Sequence, residues 1–463
     1  AWASGRLHAR EMLRVWTTVW IGNFVGAAGT ALLVFLSGQY TFGHGAVGAS
    51  ALYFAVAKSS LPATQAFFLG ILCNVLVCLA VWLALGARSV GDKILAITFP
   101  VAAFVAAGFE HCVANMYFVP LGLLIEWGAP DSFWHDLGRA AHELRLRRAD
   151  PELVTYVVDR NVTYTNLCYV DCLFCAFNRH DGDADIVVLS REEIHARVRS
   201  VVEAGGNQIL LQGGHHPRLK VEDYEAMLAD LKASFPGLWI HGFSPSEIKH
   251  FAKVSKLSTR EVLRRLQVAG LDSIPGGGAE ILSDRVRQLL APRKTAAAEW
   301  IAIMEEAHAL GLRSTATMMF GHVETLPERV EHLLRVRESQ DRTGGYNAFI
   351  GWTFQTNRTP LMERPELAAQ VLARGYRGAL DYLRTLAVAR IALDNFRNVQ
   401  ASWVTQGKAI GQLSLLYGAN DLGSTMMEES VVSAAGTTHC LEEEDLRQMA
   451  RGAGFRPAVR DNG

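Results

Sequence analysis

From Val15 to Ala57 the chain contains no Lys, Arg, Asp or Glu, and the same holds from Ser59 to Ala87. A third apolar run, Ile94 to Ile125, is interrupted only by Glu110 and His111. Uncharged runs of this length suit hydrocarbon, which takes about 20 residues of helix to cross. The sequence therefore predicts three membrane spans, roughly 14–37, 64–86 and 94–126. Their length and number exclude a cleaved secretory leader. An ionisable pair inside a span is costly to bury and marks function by default, which singles out Glu110 and His111.

The rest of the chain has a different character. Residues 1–137 are overwhelmingly apolar, whereas 138–463 carry the mixed charge of a soluble enzyme, a contrast concealed by an average of 50% hydrophobic residues. A net charge of −1 gives no bulk attraction to nucleic acid. Seven cysteines, an odd number thinly spread, do not form a secreted disulfide framework and imply a reducing compartment. Past the arginines of 138–151, read as a basic linker, strand-length apolar runs alternate with helical patterns. The strands expected are Val154–Thr165, Gln208–Gln212, Trp239–Phe243, Leu271–Ile274, Ser314–Phe320, Ala348–Phe354 and Val399–Val404. Between them lie helices such as Ser190–Ala204, opened by a capping box of Ser190 and Glu193, and Ala296–Leu310, closed by Gly311. Repeated βα units predict an α/β fold, a (β/α) barrel over 152–463, with its site at the carboxyl ends of the strands.

Cys168, Cys172 and Cys175 follow the first of these strands at spacings of four and three. Three thiolates so placed can close around one face of an iron–sulfur cluster and leave one iron open. A structural zinc site wants four protein ligands, and no fourth cysteine or Cys/His pair stands at a suitable spacing nearby. Glycines mark the other strand ends, where they allow backbone to approach a ligand closely. They occur in Gln212-Gly213-Gly214-His215, in Pro275-Gly-Gly-Gly-Ala-Glu280, and in Thr317-Met-Met-Phe-Gly321-His322-Val-Glu324. His241-Gly-Phe-Ser-Pro-Ser-Glu247 ends the strand between the first two.

The CxxxCxxC spacing resembles the radical S-adenosylmethionine (SAM) enzymes. That resemblance implies a 4Fe-4S cluster on the three cysteines and SAM on the open iron through its amino and carboxylate groups. It also implies Phe174 near the SAM adenine and Gln212, Gly213 and Gly214 at the SAM amino group, with His215 in place of the usual acid. Glu280 would meet a ribose hydroxyl or the SAM ammonium. Thr317, Gly321 and Glu324 would lie along the adenine, Thr317 replacing the first glycine of the family pattern.

Further stretches narrow the likeness. Asp159-Arg-Asn-Val-Thr-Tyr-Thr-Asn, Ile209-Leu-Leu-Gln-Gly-Gly-His, Ala316-Thr-Met-Met-Phe-Gly-His-Val-Glu-Thr, Ala401-Ser-Trp-Val-Thr-Gln-Gly and Gly418-Ala-Asn-Asp-Leu-Gly-Ser-Thr-Met-Met-Glu-Glu together resemble the cyclic dehypoxanthine futalosine synthase family of the futalosine route to menaquinone. Aminofutalosine synthase and the deazaflavin-cofactor synthases share the barrel and the cysteines and remain alternatives. The resemblance implies a radical cyclisation of dehypoxanthine futalosine and a reductant protein such as flavodoxin or ferredoxin. Hydrogen is taken from C4′ of the ribose, the carbon radical adds to the benzoate ring, and a base removes a proton. His215, His322, Glu324 and Glu428 are the candidate bases.

In the apolar part, Gly108-Phe-Glu-His-Cys-Val-Ala-Asn-Met, Gly70-Ile-Leu-Cys-Asn-Val-Leu-Val-Cys-Leu-Ala-Val-Trp and Lys58 resemble the formate/nitrite transporter family. The likeness implies that His111 exchanges a proton with a permeating anion and that Lys58 adds positive potential. Counterparts of the family's third, fourth and fifth spans are found, but not the first two or the sixth, so this segment alone is not expected to conduct. The arginines before the first span and Arg88 with Lys93 after the second favour the cytoplasm, as do Arg139, Arg145, Arg147 and Arg148 after the third. Three full crossings cannot satisfy all of them. Either one run does not fully cross, or residues 1–137 are a fusion without a working membrane domain. The expectation is an inner-membrane segment carrying a cytoplasmic enzyme, the competing class being an anion channel with the barrel as passenger.

Overall fold

Helix α1 (Ala9–Leu36) and helix α2 (Ala63–Gly86) have 28 and 24 residues, and both meet the length and composition needed to cross a membrane. Their apolar side chains point outward: Trp16, Trp20, Phe67, Trp82 and Leu85 are exposed. A soluble helix would turn such a face inward. The computed structural model describes residues 8–42, 47–48, 51, 54–55, 58, 63–107, 111–374, 378–437 and 439–460. It divides the chain into two units, Ala1–Asp136 and Leu137–Gly463.

The third expected span is not one helix. It is split into α3 (Val90–Ala106) and α4 (Cys112–Gly128), each of 17 residues, or roughly 25 Å, short of the hydrocarbon thickness. The cause is visible at His111. Its backbone is extended (φ −112°, ψ 108°), and its side chain accepts a hydrogen bond from the Ala114 N–H, so the imidazole caps a new helix where a continuous span was expected. Glu110 lies outside the described residues, and Lys58 is half-buried. The small core of this unit gathers Ala31 of α1, Tyr40, and Leu121 and Ile125 of α4.

Helix α5 (Asp131–Arg148) occupies most of the stretch expected as a linker. Arg145 within it is fully buried and donates to the carbonyls of Pro151 and Leu153 at 2.7 and 2.6 Å. It serves the entry to the first strand and is no free surface charge.

Among the described residues ten strands follow: β1 (Leu153–Val157), β2 (Asp159–Thr163), β3 (Gln208–Gln212), β4 (Trp239–Gly242), β5 (Ser273–Ile274), β6 (Arg313–Phe320), β7 (Tyr346–Thr353), β8 (Asn398–Gln400), β9 (Asp421–Ser424) and β10 (Arg456–Val459). They form one parallel sheet in the order β10-β1-β9-β8-β7-β6-β5-β4-β3-β2. β1 pairs with β9 and β10, while β2, separated from it only by Val158, pairs with β3. β1, next to the β10 edge, and β2, at the other end of the sheet, are thus one continuous piece of backbone, 153–163, and the β/α units wrap around an interior. The expected strand 154–165 is interrupted at Val158, and β9 and β10 were not anticipated. β10 contains Pro457, tolerable because it lies on the sheet edge.

Alternate residues of the strands serve different environments. Val154, Val162, Ile209, Leu211, Ile240, Ala316, Met318 and Phe349 face the helices and form the main core. The opposite set points into the interior: Asp159, Asn161 and Thr163 on β2, Gln208, Leu210 and Gln212 on β3, Thr315 and Thr317 on β6, and Ile350 and Trp352 on β7. A packed barrel fills that space with branched aliphatic residues. Here the inward set is largely polar and encloses a cavity.

Candidate active site

The cavity has a volume of about 360 Å³ and is walled by strand interiors and strand-end loops. Cys168, Cys172 and Cys175 all lie on its wall. Their loop is held in place by backbone bonds from Cys168 N to Arg179 O (2.9 Å) and from Leu173 N to Leu290 O (2.8 Å). The Gly214 N–H donates to Thr165 O (2.8 Å), which ties the strand-end turn to the same loop. Burial pushes the Cys168 and Cys172 thiols above their ordinary range, so a bound cation is what would hold them as thiolates. Among the described residues no three His, Cys, Asp or Glu side chains converge as a single metal ion requires. Three thiols on one loop at a cavity wall are the donor type that iron–sulfur clusters use.

The glycine turns are built for close approach. A Cβ on Gly214 would lie 2.4 Å from the Leu167 carbonyl oxygen, and one on Gly213 would enter the Tyr164 ring at 2.7 Å. One buried carboxylate pins this turn: Glu247 accepts from Gly213 N (3.0 Å), Tyr164 OH (2.9 Å), Ser244 N (2.7 Å) and Ser244 Oγ (2.7 Å). The Gly276–Gly278 turn is held against β6, with Gly276 N donating to Thr315 Oγ1 (2.9 Å) and Thr317 Oγ1 donating to Gly276 O (2.5 Å). Gln212 and Phe174 also face the cavity.

Glu280 lines the cavity in a left-handed conformation (φ 41°), but its carboxylate is already paired. Lys294 Nζ lies at 2.8 Å and Arg287 Nη1 at 3.6 Å. Lys294 also sits 5.1 Å from the Phe174 ring centroid. Burial alone would lower the Lys294 ammonium, yet the charges of Cys172 and Glu280 outweigh it and hold it above its ordinary value.

Of the four candidate bases, His215 alone lines the cavity. Its ring stacks on His250 with centroids 5.1 Å apart, and burial drives its pKa well down, which keeps it neutral. His322 and Glu324 instead bind each other and their own turn. Glu324 accepts from Gly321 N (2.6 Å), His322 N (2.8 Å) and Arg329 Nε (2.8 Å), while His322 Nε2 bonds Met319 O (3.0 Å). Burial would raise Glu324, but His322, Arg329 and the Gly321 N–H together hold it well below the usual carboxylate range. Gly321 (φ 90°) permits that loop and belongs to it rather than to the cavity wall. Glu428 faces Arg160 and Arg197 at 2.7 and 3.1 Å, away from the cavity, whereas its neighbour Glu429 lines it.

Several cavity residues were not singled out from the sequence. His241 reaches the interior with Nδ1 bonded to Ser273 Oγ at 2.7 Å, its pKa lowered to about 3 by burial. Asp159 is satisfied by Ser424 and by Gln208 Nε2 (2.8 Å); Arg460, also on the wall, donates to Asp421 at 2.8 Å. Asn161 and Thr163 complete the inward face of β2. Their signal was legible: polar residues at every second position of a strand buried on both faces. Lys294, in a loop after Pro292, carried none.

Comparison with known proteins agrees with this geometry. Residues 162–336 match the radical SAM superfamily and 343–463 the CofH/MqnC C-terminal region, while 1–149 match the formate/nitrite transporter family. A cyclic dehypoxanthine futalosine synthase of Streptomyces coelicolor is 45% identical over 334 residues, 71% of this chain and 81% of that protein. The chain belongs to the radical SAM superfamily. A 5-amino-6-(D-ribitylamino)uracil–L-tyrosine 4-hydroxyphenyl transferase of Methanosarcina mazei is 42% identical over 70% of this chain and 85% of that protein. The crystal structure of methylornithine synthase has the same fold, with a TM-score of 0.55 at 17% identity, covering 73% of this chain and 92% of that one. The barrel is thus a radical SAM enzyme, in the branch that contains the futalosine-pathway and deazaflavin-type synthases. Its family implies a 4Fe-4S cluster and SAM, for which the three cavity thiols and close-approach glycine turns are suited.

Proposed function

We propose that the barrel is a radical SAM cyclase that converts dehypoxanthine futalosine to its cyclic product in menaquinone biosynthesis. The observation that carries this reading is the 45% identity to a protein of that name over 81% of its length. The bound cluster supplies the electron that cleaves SAM to a 5′-deoxyadenosyl radical. In this reading Cys168, Cys172 and Cys175 hold the cluster, while Gln212, Gly213 and Gly214 receive the amino end of SAM. Phe174 and Thr317 line its path.

C4′ would give its hydrogen atom to the 5′-deoxyadenosyl radical, forming 5′-deoxyadenosine; the C4′ radical would close onto the aromatic ring, and the resulting ring radical would return one electron to the oxidised cluster and lose one proton to a base. His215, the candidate base that lines the cavity, is the group to which this reading gives that proton. In this reading the enclosing walls keep competing hydrogen donors from the carbon radical. Domain limits of 1–137 for the membrane segment, 138–151 for the connection and 152–463 for the enzyme go with this function. So do attachment to the inner membrane, a cytoplasmic barrel and a small reductant protein such as flavodoxin or ferredoxin.

Anaerobic reconstitution should give about four iron and four sulfide per chain, and formation of 5′-deoxyadenosine together with a cyclised product when dehypoxanthine futalosine is present. The 42% identity to the M. mazei transferase favours a second reading. Turnover of 5-amino-6-(D-ribitylamino)uracil with tyrosine, and none of dehypoxanthine futalosine, would transfer the assignment to it. For the apolar unit, formate flux in vesicles that disappears in His111→Ala would assign transport to Lys58 and His111; absence of flux assigns an anchor.

A further inference from the structure

We propose that Asn161 and Thr163 of β2 form the subsite that holds the hydroxyl groups of the substrate's sugar. Both side chains line the cavity and both are buried, with exposures of 2% and 7%. Asn161 Oδ1 and Thr163 Oγ1 have no hydrogen-bond partner. Buried polar atoms are rarely left so, and an unmet one in a cavity wall points to a ligand. Among the described residues of the cavity lining, these two carry such atoms. Around them Asp159, His241, Thr315 and Thr317 each have a protein partner.

The pair lies on one face of one strand, two residues apart, hence separated by roughly 7 Å along β2. A pentose with its hydroxyls covers that distance. A hydroxyl both donates and accepts, so it satisfies a carboxamide through either of its ends and a threonine hydroxyl in either sense. Depth separates Asn161 from the cofactor residues, with Thr163 at their border. Thr163 is in register with Gln212, where the glycine turn begins, and Asn161 with Leu210, one step further into the barrel. Across the cavity stand Ile350, Trp352, Trp403 and Val404, an apolar wall for an aromatic ring. The interior is thus two-sided, polyol against β2 and aryl group against the far wall.

This inference rests on the proposed function only in requiring a substrate with a polyhydroxylated part. The test uses the full-length protein in detergent, anaerobically reconstituted, as Asn161→Ala, Thr163→Val and Thr163→Ser. Binding of dehypoxanthine futalosine is read from tryptophan quenching, with SAM absent, and iron content and circular dichroism identify folded protein. The dissociation constant is expected to rise about tenfold in Asn161→Ala and in Thr163→Val. It should stay within about threefold in Thr163→Ser, with the KM for SAM within about twofold of wild type. An analogue lacking one sugar hydroxyl should weaken wild type and leave one of the first two variants no weaker than it already is. Unchanged binding in Asn161→Ala and Thr163→Val overturns the subsite, and a KM for SAM that rises as much as the substrate constant reassigns the pair to the cofactor. Failure of wild type to bind dehypoxanthine futalosine would sink the enzyme assignment instead. The same variants titrated with 5-amino-6-(D-ribitylamino)uracil, which carries a ribityl chain, would then decide the subsite by the same shifts.

Discussion

Gly214 is where the cysteine loop and the strand-end turn touch, and Gly214→Ala tests whether that contact builds the cluster site. The new Cβ would sit 2.4 Å from the Leu167 carbonyl oxygen, 2.8 Å from its carbon and 3.0 Å from the Cys168 Cβ. None of these is the free end of a flexible side chain, so relief requires the two backbones to part by about 1 Å. Overpacking of this kind costs about 1–3 kcal/mol. At about 2–4 °C per kcal/mol for a large domain, the apoprotein should melt several degrees lower. The same parting displaces the Cys168 loop from the strand-end turn and spreads the thiols. Iron and sulfide retained after anaerobic reconstitution and desalting should therefore fall well below wild type. Gly237→Ala is the control, because a Cβ there meets nothing within 4 Å. If Gly214→Ala keeps wild-type iron content and melting temperature while the control behaves as expected, the close approach does not shape the site.

Removing the Glu247 carboxylate strands the Tyr164 hydroxyl and the Gly213 and Ser244 N–H groups; Glu247→Ala should lose about 3 kcal/mol or more in urea unfolding, with Glu247→Gln losing less. Lys294→Met removes a cation beside Cys172 and Glu280, so the cluster should become harder to reduce, read as a more negative midpoint in an electron paramagnetic resonance titration. His308, bonded to Thr343 Oγ1 at 2.8 Å and Ser314 Oγ at 2.7 Å, has its pKa lowered to about 4 by burial. The unfolded chain therefore binds the extra proton first. About 2–3 kcal/mol of stability is present above pH 6.5 and is lost as pH falls towards 4, so the wild-type minus His308→Gln difference in unfolding free energy should shrink across that window. The exposed apolar faces of α1 and α2 predict that the full chain sediments with membranes and resists an alkaline carbonate wash; release by carbonate would remove the membrane assignment.

Much of the architecture could be read from the chain because its signals are local. The Ser190/Glu193 capping box forms as expected, and Cys168, Cys172 and Cys175 with the glycines at 213–214 and 276–278 lie on the cavity wall; each of these signals occupies a dozen residues or fewer. What could not be read was partnership across the fold. β9 begins with Asp421 and contains Gly423, poor strand formers, and is a strand because Thr155 and Gln400 lie on either side of it. Glu324 looked available to a ligand until Arg329 and its own turn took both oxygens, and Glu280 until Lys294, fourteen residues later, folded back onto it. The third apolar run looked continuous until His111 capped a helix in its middle.

These cases share a direction: charged groups near the strand ends acquire protein partners, because a buried charge without one is too costly to keep. The groups left unmet on the cavity wall are neutral, Asn161 and Thr163. A substrate entering this interior would thus meet hydrogen-bonding groups that orient it without offering acidic protons, while the difficult chemistry belongs to the cofactor. For a carbon-centred radical that must close onto one ring atom before anything else reaches it, that division of labour sets what the walls must do. They must position the sugar relative to the ring more tightly than they stabilise charge, and the loss expected in Asn161→Ala should therefore include a larger share of 5′-deoxyadenosine formed without cyclised product, measured as the ratio of the two at saturating substrate. A ratio unchanged from wild type in a variant whose binding is weakened would mean that the sugar is held for affinity alone and that the ring is aligned by the apolar wall.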